Sequence, residues 1–395
     1  MLAIVNATVP DGSGKKISVL VDGGKIAASG TDVAVPPGAS VINAEGLYIL
    51  PGLIDAHSHF GGSSSFDRPG CGDRRETYDY VEAREGFLRW GVTTVRTCGD
   101  QAKEILPFRD DVNAGNVLSP RVVSCGPFFQ GAGGHPWATV YMKDPTVAET
   151  AAVFISDDTD IEKAVADVAS TGVDFIKAFY GHINKLDYPK PVPHMGKGQL
   201  GRLVAAAHKH GLKCAVHVDG PQELMEAVEV GADAIEHLIA AGGEETRFTP
   251  AQIEAIKASG AVVDPTMISI LRFDQTPGFP SVWADLKLAV KQFYDAGVPL
   301  AVGCDSGIPF VPFGESLHDE MACLVEAGIP ALDVLNMATE GNARLLGLDA
   351  VIGTLDAGKD ADLLLLGADP LEDIANTRDI RLTMVKGSIV TARCL

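Results

Sequence analysis

The chain has 395 residues, 46% of them hydrophobic and 6% aromatic, and a formal charge of −20. That length can bury a large core, and it allows two or three domains of roughly 100–200 residues, or one barrel of about 250 residues with a smaller companion. A surface this acidic repels phosphate backbones and anionic headgroups, so nucleic acid and membrane are excluded as expected partners.

The N-terminus, Met1-Leu-Ala-Ile-Val-Asn-Ala-Thr, has no basic stretch followed by an apolar core, so no secretory signal is expected. No apolar run reaches the roughly 20 residues that span a bilayer. The seven cysteines, Cys71, Cys98, Cys125, Cys214, Cys304, Cys323 and Cys394, are odd in number and form no CxxC. Reduced thiols in a cytoplasmic protein are the expectation, and zinc ligation by cysteine is not.

Residues 1–50 read as short strands and turns: Ile17-Ser-Val-Leu-Val-Asp runs into Gly23-Gly24, Lys25-Ile-Ala-Ala-Ser-Gly follows, then Ser40-Val-Ile-Asn-Ala. Residues 350–395 read the same way, with Ala361-Asp-Leu-Leu-Leu-Leu and Met384-Val-Lys-Gly-Ser-Ile-Val. Neither end is long enough to close a core alone. The two are therefore expected to combine into one small β-sandwich domain. Between them, residues 51–349 alternate strand-like apolar runs with helical stretches. The runs lie at 47–56, 92–97, 121–127, 173–179, 212–218, 233–239, 261–267 and 299–304, with helices at 199–210 and 282–296 among those between. Eight strands alternating with helices predict an α/β fold, a (β/α)8 TIM barrel. Residues 128–157 read as a long loop of the kind that serves function.

In such a barrel the chemistry collects where strands end, at the C-terminal face. The first run ends Leu53-Ile-Asp-Ala-His57-Ser-His59, and residues two apart on a strand point the same way. Val173-Asp-Phe-Ile-Lys177 ends in a lysine that is costly to bury charged; taken alone, Lys177 reads as a snorkelling side chain. The next runs end in His217 and His237, and the last in Asp305-Ser-Gly, which alone reads as a turn. Taken together, four imidazoles, a carboxylate and a lysine would converge at one mouth. Imidazole suits zinc, iron or nickel, and the carboxylate extends the choice to manganese.

The chain here resembles the amidohydrolase superfamily. The residues that carry the likeness are Ile49-Leu-Pro-Gly-Leu-Ile-Asp-Ala-His57-Ser-His59, Gly91-Val-Thr-Thr-Val-Arg, Ala215-Val-His217, Ala234-Ile-Glu-His237, Gly303-Cys-Asp305-Ser-Gly and Ile352-Gly-Thr-Leu-Asp-Ala-Gly-Lys-Asp-Ala-Asp-Leu. With Lys177, it is most similar to the binuclear branch that holds amidohydrolase-type prolidases and related carboxypeptidases. The resemblance implies two divalent metals, with zinc first. His57, His59 and Asp305 would hold one metal and His217 and His237 the other. Lys177, carboxylated by CO2, would bridge them with a hydroxide as nucleophile. Asp305 would carry the proton to the leaving group.

The implied function is hydrolysis of a C–N amide-type bond in a small molecule, such as an N-acyl amino acid or a dipeptide. His135, Tyr180 and Arg96 are the candidate substrate contacts. In Gln130-Gly-Ala-Gly-Gly-His135-Pro-Trp137 the small residue usual after the histidine is replaced by Pro-Trp, a departure that bears on substrate class. Two alternatives stand beside this reading: a mononuclear cyclic-amide hydrolase of imidazolonepropionase type, and a lactone or phosphoester hydrolase at the same binuclear centre. Homo-oligomerisation is left open.

Overall fold

The computed structural model describes residues 1–62, 80–183, 190–238, 248–274 and 281–392. Strands β1 (Leu2–Thr8), β2 (Lys16–Asp22), β3 (Lys25–Gly30), β4 (Ser40–Asn43) and β5 (Tyr48–Pro51) come from the N-terminal end. β6 (Leu53–Ser58), β7 (Val92–Thr97), β8 (Arg121–Ser124), β9 (Phe128–Gly131), β10 (Ala152–Ile155), β11 (Ile176–Tyr180), β12 (Cys214–Val218), β13 (Ala234–Glu236) and β14 (Val262–Asp264) alternate with helices through the middle, except that β9 follows β8 directly. β15 (Leu363–Leu366), β16 (Ile380–Val385) and β17 (Ser388–Ala392) close the chain.

Strands from both ends share one eight-stranded sheet in the order β17-β16-β15-β5-β1-β2-β3, with β4 on β1. The join is β5 against β15, antiparallel, with Ile49 opposite Leu365. β15 is four consecutive buried leucines because both of its faces are covered. Leu363 and Leu365 pack into the sheet's own core with Ile4, Val19 and Met384. Leu364 and Leu366 pack into the main core with Leu53 and Val92. Each fully buried leucine contributes about 1.5–3 kcal/mol, enough for this short strand to fasten the sheet to the body.

The run read as one strand at 47–56 is two strands in different sheets. Gly52 separates them; a Cβ there would lie 2.1 Å from Thr93 Oγ1, so only glycine lets β6 start against β7. The parallel strands form two hydrogen-bonded sets, β6-β7-β8 and β10-β9-β11-β12-β13-β14. Residues 299–305 link them: Ala301 N donates to Val263 O, Ala56 N to Val302 O and Asp305 N to His57 O, at 2.8–3.1 Å. The run expected as a strand at 299–304 is not one, because three of its N–H groups are taken by side chains: Val302 N by Asn342, Gly303 N by Asp264 and Cys304 N by Asp55.

Residues 128–157, expected as a long loop, hold β9, the helix Pro145–Thr150 and β10, with β9 and β10 parallel. All four β9 residues are buried, so no alternation marked it. The helices expected at 199–210 and 282–296 are Lys197–Lys209 and Trp283–Ala296. Among the described residues, Cys98, Cys125, Cys214, Cys304 and Cys323 are buried free thiols, whereas Cys71 and Cys394 lie outside those residues. No helix among the described residues is long and apolar enough to cross a membrane.

Candidate metal centre

β6 presents His57 and leads to His59 one step beyond its end, and both side chains are buried. Asp305 approaches them from residues 299–305 with a left-handed backbone, φ 61°. Its Oδ1 lies 3.1 Å from His59 Nε2 and 3.5 Å from His57 Nε2. Left-handed geometry is unfavourable for a residue with a Cβ and is tolerated where the surroundings over-determine it. Gly303 allows the approach, since a Cβ there would lie 2.1 Å from Asp264 Oδ2 and 2.6 Å from His57 N.

His237 follows β13 and is also left-handed, φ 72°. Its Nδ1 pairs with Thr266 Oγ1 at 2.7 Å, which turns Nε2 away from that contact. His217, on β12, has Nε2 3.1 Å from Asp219 Oδ1. The rings form a continuous series. Centroids of His59 and His57 are 5.6 Å apart, His57 and His237 4.8 Å, His237 and His217 4.4 Å, and His217 and His135 4.8 Å.

Lys177 lies on β11, fully buried, and its Nζ has no hydrogen-bond partner among the described residues. The amine is 5.2 Å from the centre of the Phe179 ring, and that ring is 4.9 Å from His217. Burial, then the Lys177 charge, push the His57 pKa down to about 4 against the opposing pull of Glu236. His57 is thus a neutral imidazole at pH 7 with a lone pair to offer.

This donor set fits a divalent metal. One ligand atom each from His57, His59 and Asp305 lies within 4.8 Å of the others, all three buried. His57 Nε2 has no hydrogen-bond partner among the described residues, while its Nδ1 is held by Glu236. A carboxylate behind the non-ligating nitrogen is the usual support of a metal-binding histidine.

The three candidate substrate contacts separate. His135 joins the imidazole series, with Nδ1 2.6 Å from Thr139 Oγ1. Tyr180 falls on the opposite face of β11 from Lys177, because side chains alternate along a strand. Its hydroxyl donates to Glu226 on the helix Pro221–Glu229; burial, then this bond, raise its pKa. Arg96 is not at a mouth. It is buried, donates to Glu236 Oε1 at 2.6 Å and to Ala56 O, and lies over the Phe175 ring at 5.3 Å. Burial is the largest single influence and opposes its charge, but Glu236, Cys98 and Asp264 together outweigh it and raise its pKa.

Two residues around the site drew no notice in the sequence, Glu236 and Asp219. Glu236 is an acid inside the apolar run Ala234-Ile-Glu, and Asp219 stands two residues after His217, on the same face. Both patterns were visible signals.

The amidohydrolase family profile matches residues 48–390. An ochratoxinase of Aspergillus niger is 25% identical over 361 residues, covering 82% of this chain and 71% of the relative. An imidazolonepropionase of Thermoplasma acidophilum is 24% identical over 404 residues, covering 95% and 89%. Among solved structures, a Xaa-Pro dipeptidase with methionine bound in its active site is similar at a TM-score of 0.83 and 25% identity, covering 98% and 99%. A family match across most of the sequence, on a fold that gathers candidate metal ligands, leads to one conclusion: the chain belongs to the amidohydrolase family and is a hydrolytic enzyme acting on carbon–nitrogen bonds.

Proposed function

We propose that this enzyme hydrolyses the amide bond of an N-acyl amino acid or a dipeptide at a two-metal centre, in a closed (β/α)8 barrel formed by residues 51–349 beside a small β domain built from residues 1–50 and 350–395. The observation that carries the reading is Lys177. A buried amine without a hydrogen-bond partner among the described residues, beside a series of imidazoles, is costly as it stands. As a carbamate formed with CO2, it becomes an anionic ligand able to bridge two cations. In this reading His57, His59 and Asp305 hold one metal, and His217 and His237 the other. Zinc is the first candidate, with iron, nickel or manganese next.

When bound, the metals supply Lewis acidity and an activated water. The chain's own residues do the rest. Asp305, beside His57 and His59, takes the proton of the attacking water and passes it to the leaving nitrogen, so that amide and water become acid and amine. His135, next to His217, binds the substrate's carboxylate. The likeness to a Xaa-Pro dipeptidase and an ochratoxinase supports an amide substrate.

The similarity to an imidazolonepropionase favours a second reading, a single-metal hydrolase of a cyclic amide, which has no use for Lys177 as a bridge. One experiment separates them: N-acyl amino acids, dipeptides and cyclic amides are screened while metal per chain is measured. Two metals per chain with turnover of linear amides supports the first reading; one metal with turnover of cyclic amides only refutes it.

A further inference from the structure

β7 and β13 bring a buried ion pair into contact with His57. Arg96 is 4% exposed, Glu236 and His57 are 0% exposed, and the three touch in series. Arg96 donates to Glu236 Oε1 at 2.6 Å, and Glu236 Oε2 lies 2.6 Å from His57 Nδ1. A second bond, from Arg96 Nε to Ala56 O, ties the guanidinium to the residue next to His57. Both oxygens of one carboxylate are thereby committed, one to a fixed cation and one to the ring.

Packing alone does not place the guanidinium. Bulky branched side chains usually fill the interior at this level of such folds. Here Ala215 and Ala234, with Phe175 and Leu345, leave a cavity of about 40 Å³ against Arg96. That space is large enough for a water or two. The position of Arg96 is therefore set by its polar bonds, and the position of Glu236 by Arg96.

A buried ion pair is weak evidence for stability, since burying two charges costs about as much as their attraction returns. Its geometric consequence is more specific. An imidazole that donates from Nδ1 must present Nε2 as a lone pair, and His57 Nε2 lies 3.5 Å from Asp305 Oδ1.

We propose that Glu236, anchored by Arg96, is a positioning residue that fixes the tautomer and ring orientation in which His57 binds metal. This rests on the metal-binding reading above. It gives Arg96 a role inside the centre's support and none toward substrate.

The test compares two double variants of the full chain. R96M/E236L replaces the pair by apolar side chains of similar size, a change that buried pairs often tolerate without loss of stability. R96M/E236Q also removes the pair but keeps an acceptor for His57 Nδ1–H. Zinc affinity is measured by competition with a chromophoric chelator, and stability by denaturant unfolding. At wild-type stability, R96M/E236L is expected to bind zinc about 10–100-fold more weakly, and R96M/E236Q, which keeps the acceptor but loses its anchor, to fall between it and the wild type. Equal affinity in R96M/E236L and the wild type overturns the proposal, as does R96M/E236Q binding no better than R96M/E236L.

A measurement on the metal-free wild type decides the matter even where a variant does not fold. Nitrogen-15 shifts of His57 are expected to report a proton on Nδ1, and a proton on Nε2 overturns the proposal. A wild-type chain that takes up no zinc refutes the metal reading, while the tautomer measurement still tests the positioning.

Discussion

Lys177 and Phe179 share one face of β11, with the lysine amine 5.2 Å from the centre of the phenyl ring, while Tyr180 between Phe179 and the loop beyond turns to the other face and binds Glu226. Phe179, not Tyr180, thereby walls the centre, its ring edge-on to His135 at 5.6 Å. Tyr180→Phe is expected to leave kcat/KM within about twofold and to lower unfolding free energy by about 1 kcal/mol, the worth of one hydrogen bond. Steady-state kinetics beside urea unfolding checks this, and a tenfold fall in kcat/KM would place the hydroxyl on the substrate.

The convergence of His57, His59 and Asp305 leads to a second expectation. His57→Ala or Asp305→Ala should abolish turnover and lower metal per chain, because each removes one donor from a set whose ligand atoms lie within 4.8 Å of one another. Metal analysis after dialysis, with activity on the same samples, decides it. Full activity in either variant ends the assignment of that ligand.

How the site could be read in the sequence follows from strand geometry. His57, Lys177, His217, His237 and Asp305 drew attention in the sequence because each closes an apolar run; the structure sets the rings of His57, His237 and His217 in series and Asp305 beside His57, while Lys177 is the second residue of β11. Tyr180 was misplaced by one step of a two-residue period. Arg96 read as a candidate substrate contact because its partner, Glu236, is 140 residues distant and no local pattern links them. β9 and the segment 299–305 resisted reading for different reasons. β9 is buried throughout, and residues 302–304 give their N–H groups to side chains far along the chain. The two ends meet at β5 against β15, while β1, β2 and β3 pair within the N-terminal end and β15, β16 and β17 within the C-terminal one.

His135 carries the expectation about the substrate. Its ring lies 4.8 Å from that of His217, on the loop after β9. His135→Asn is expected to raise KM for carboxylate-bearing amides about fivefold or more, with kcat changed less than about threefold, the signature of lost uniform binding. An unchanged KM on the best substrate would remove His135 from the binding model.

Away from the centre, His318 yields a pH dependence of stability. It is buried on the helix Glu315–Glu326 and joins Trp90 O, at 2.9 Å, to Thr377 Oγ1, at 2.8 Å. Burial, partly opposed by the bond to Trp90, lowers its pKa from 6.5 to about 4. The folded state thus rejects a proton that the unfolded chain accepts. The contribution is complete above about pH 6.5 and is lost as pH falls towards 4, on the order of 2 kcal/mol at the lower end. Unfolding of the wild type and His318→Gln at pH 7.5 and 4.5 should show a smaller loss in the variant; equal losses would contradict it.

The central claim is that Lys177 carries a carboxylate added from CO2, and the most direct measurement is electron density at Lys177 in crystals of the active, fully metallated enzyme grown with bicarbonate. The account predicts density for a carboxylate on Nζ, in contact with two metals. An unmodified Lys177 amine in that same active, fully metallated protein would contradict it and leave the single-metal reading in its place.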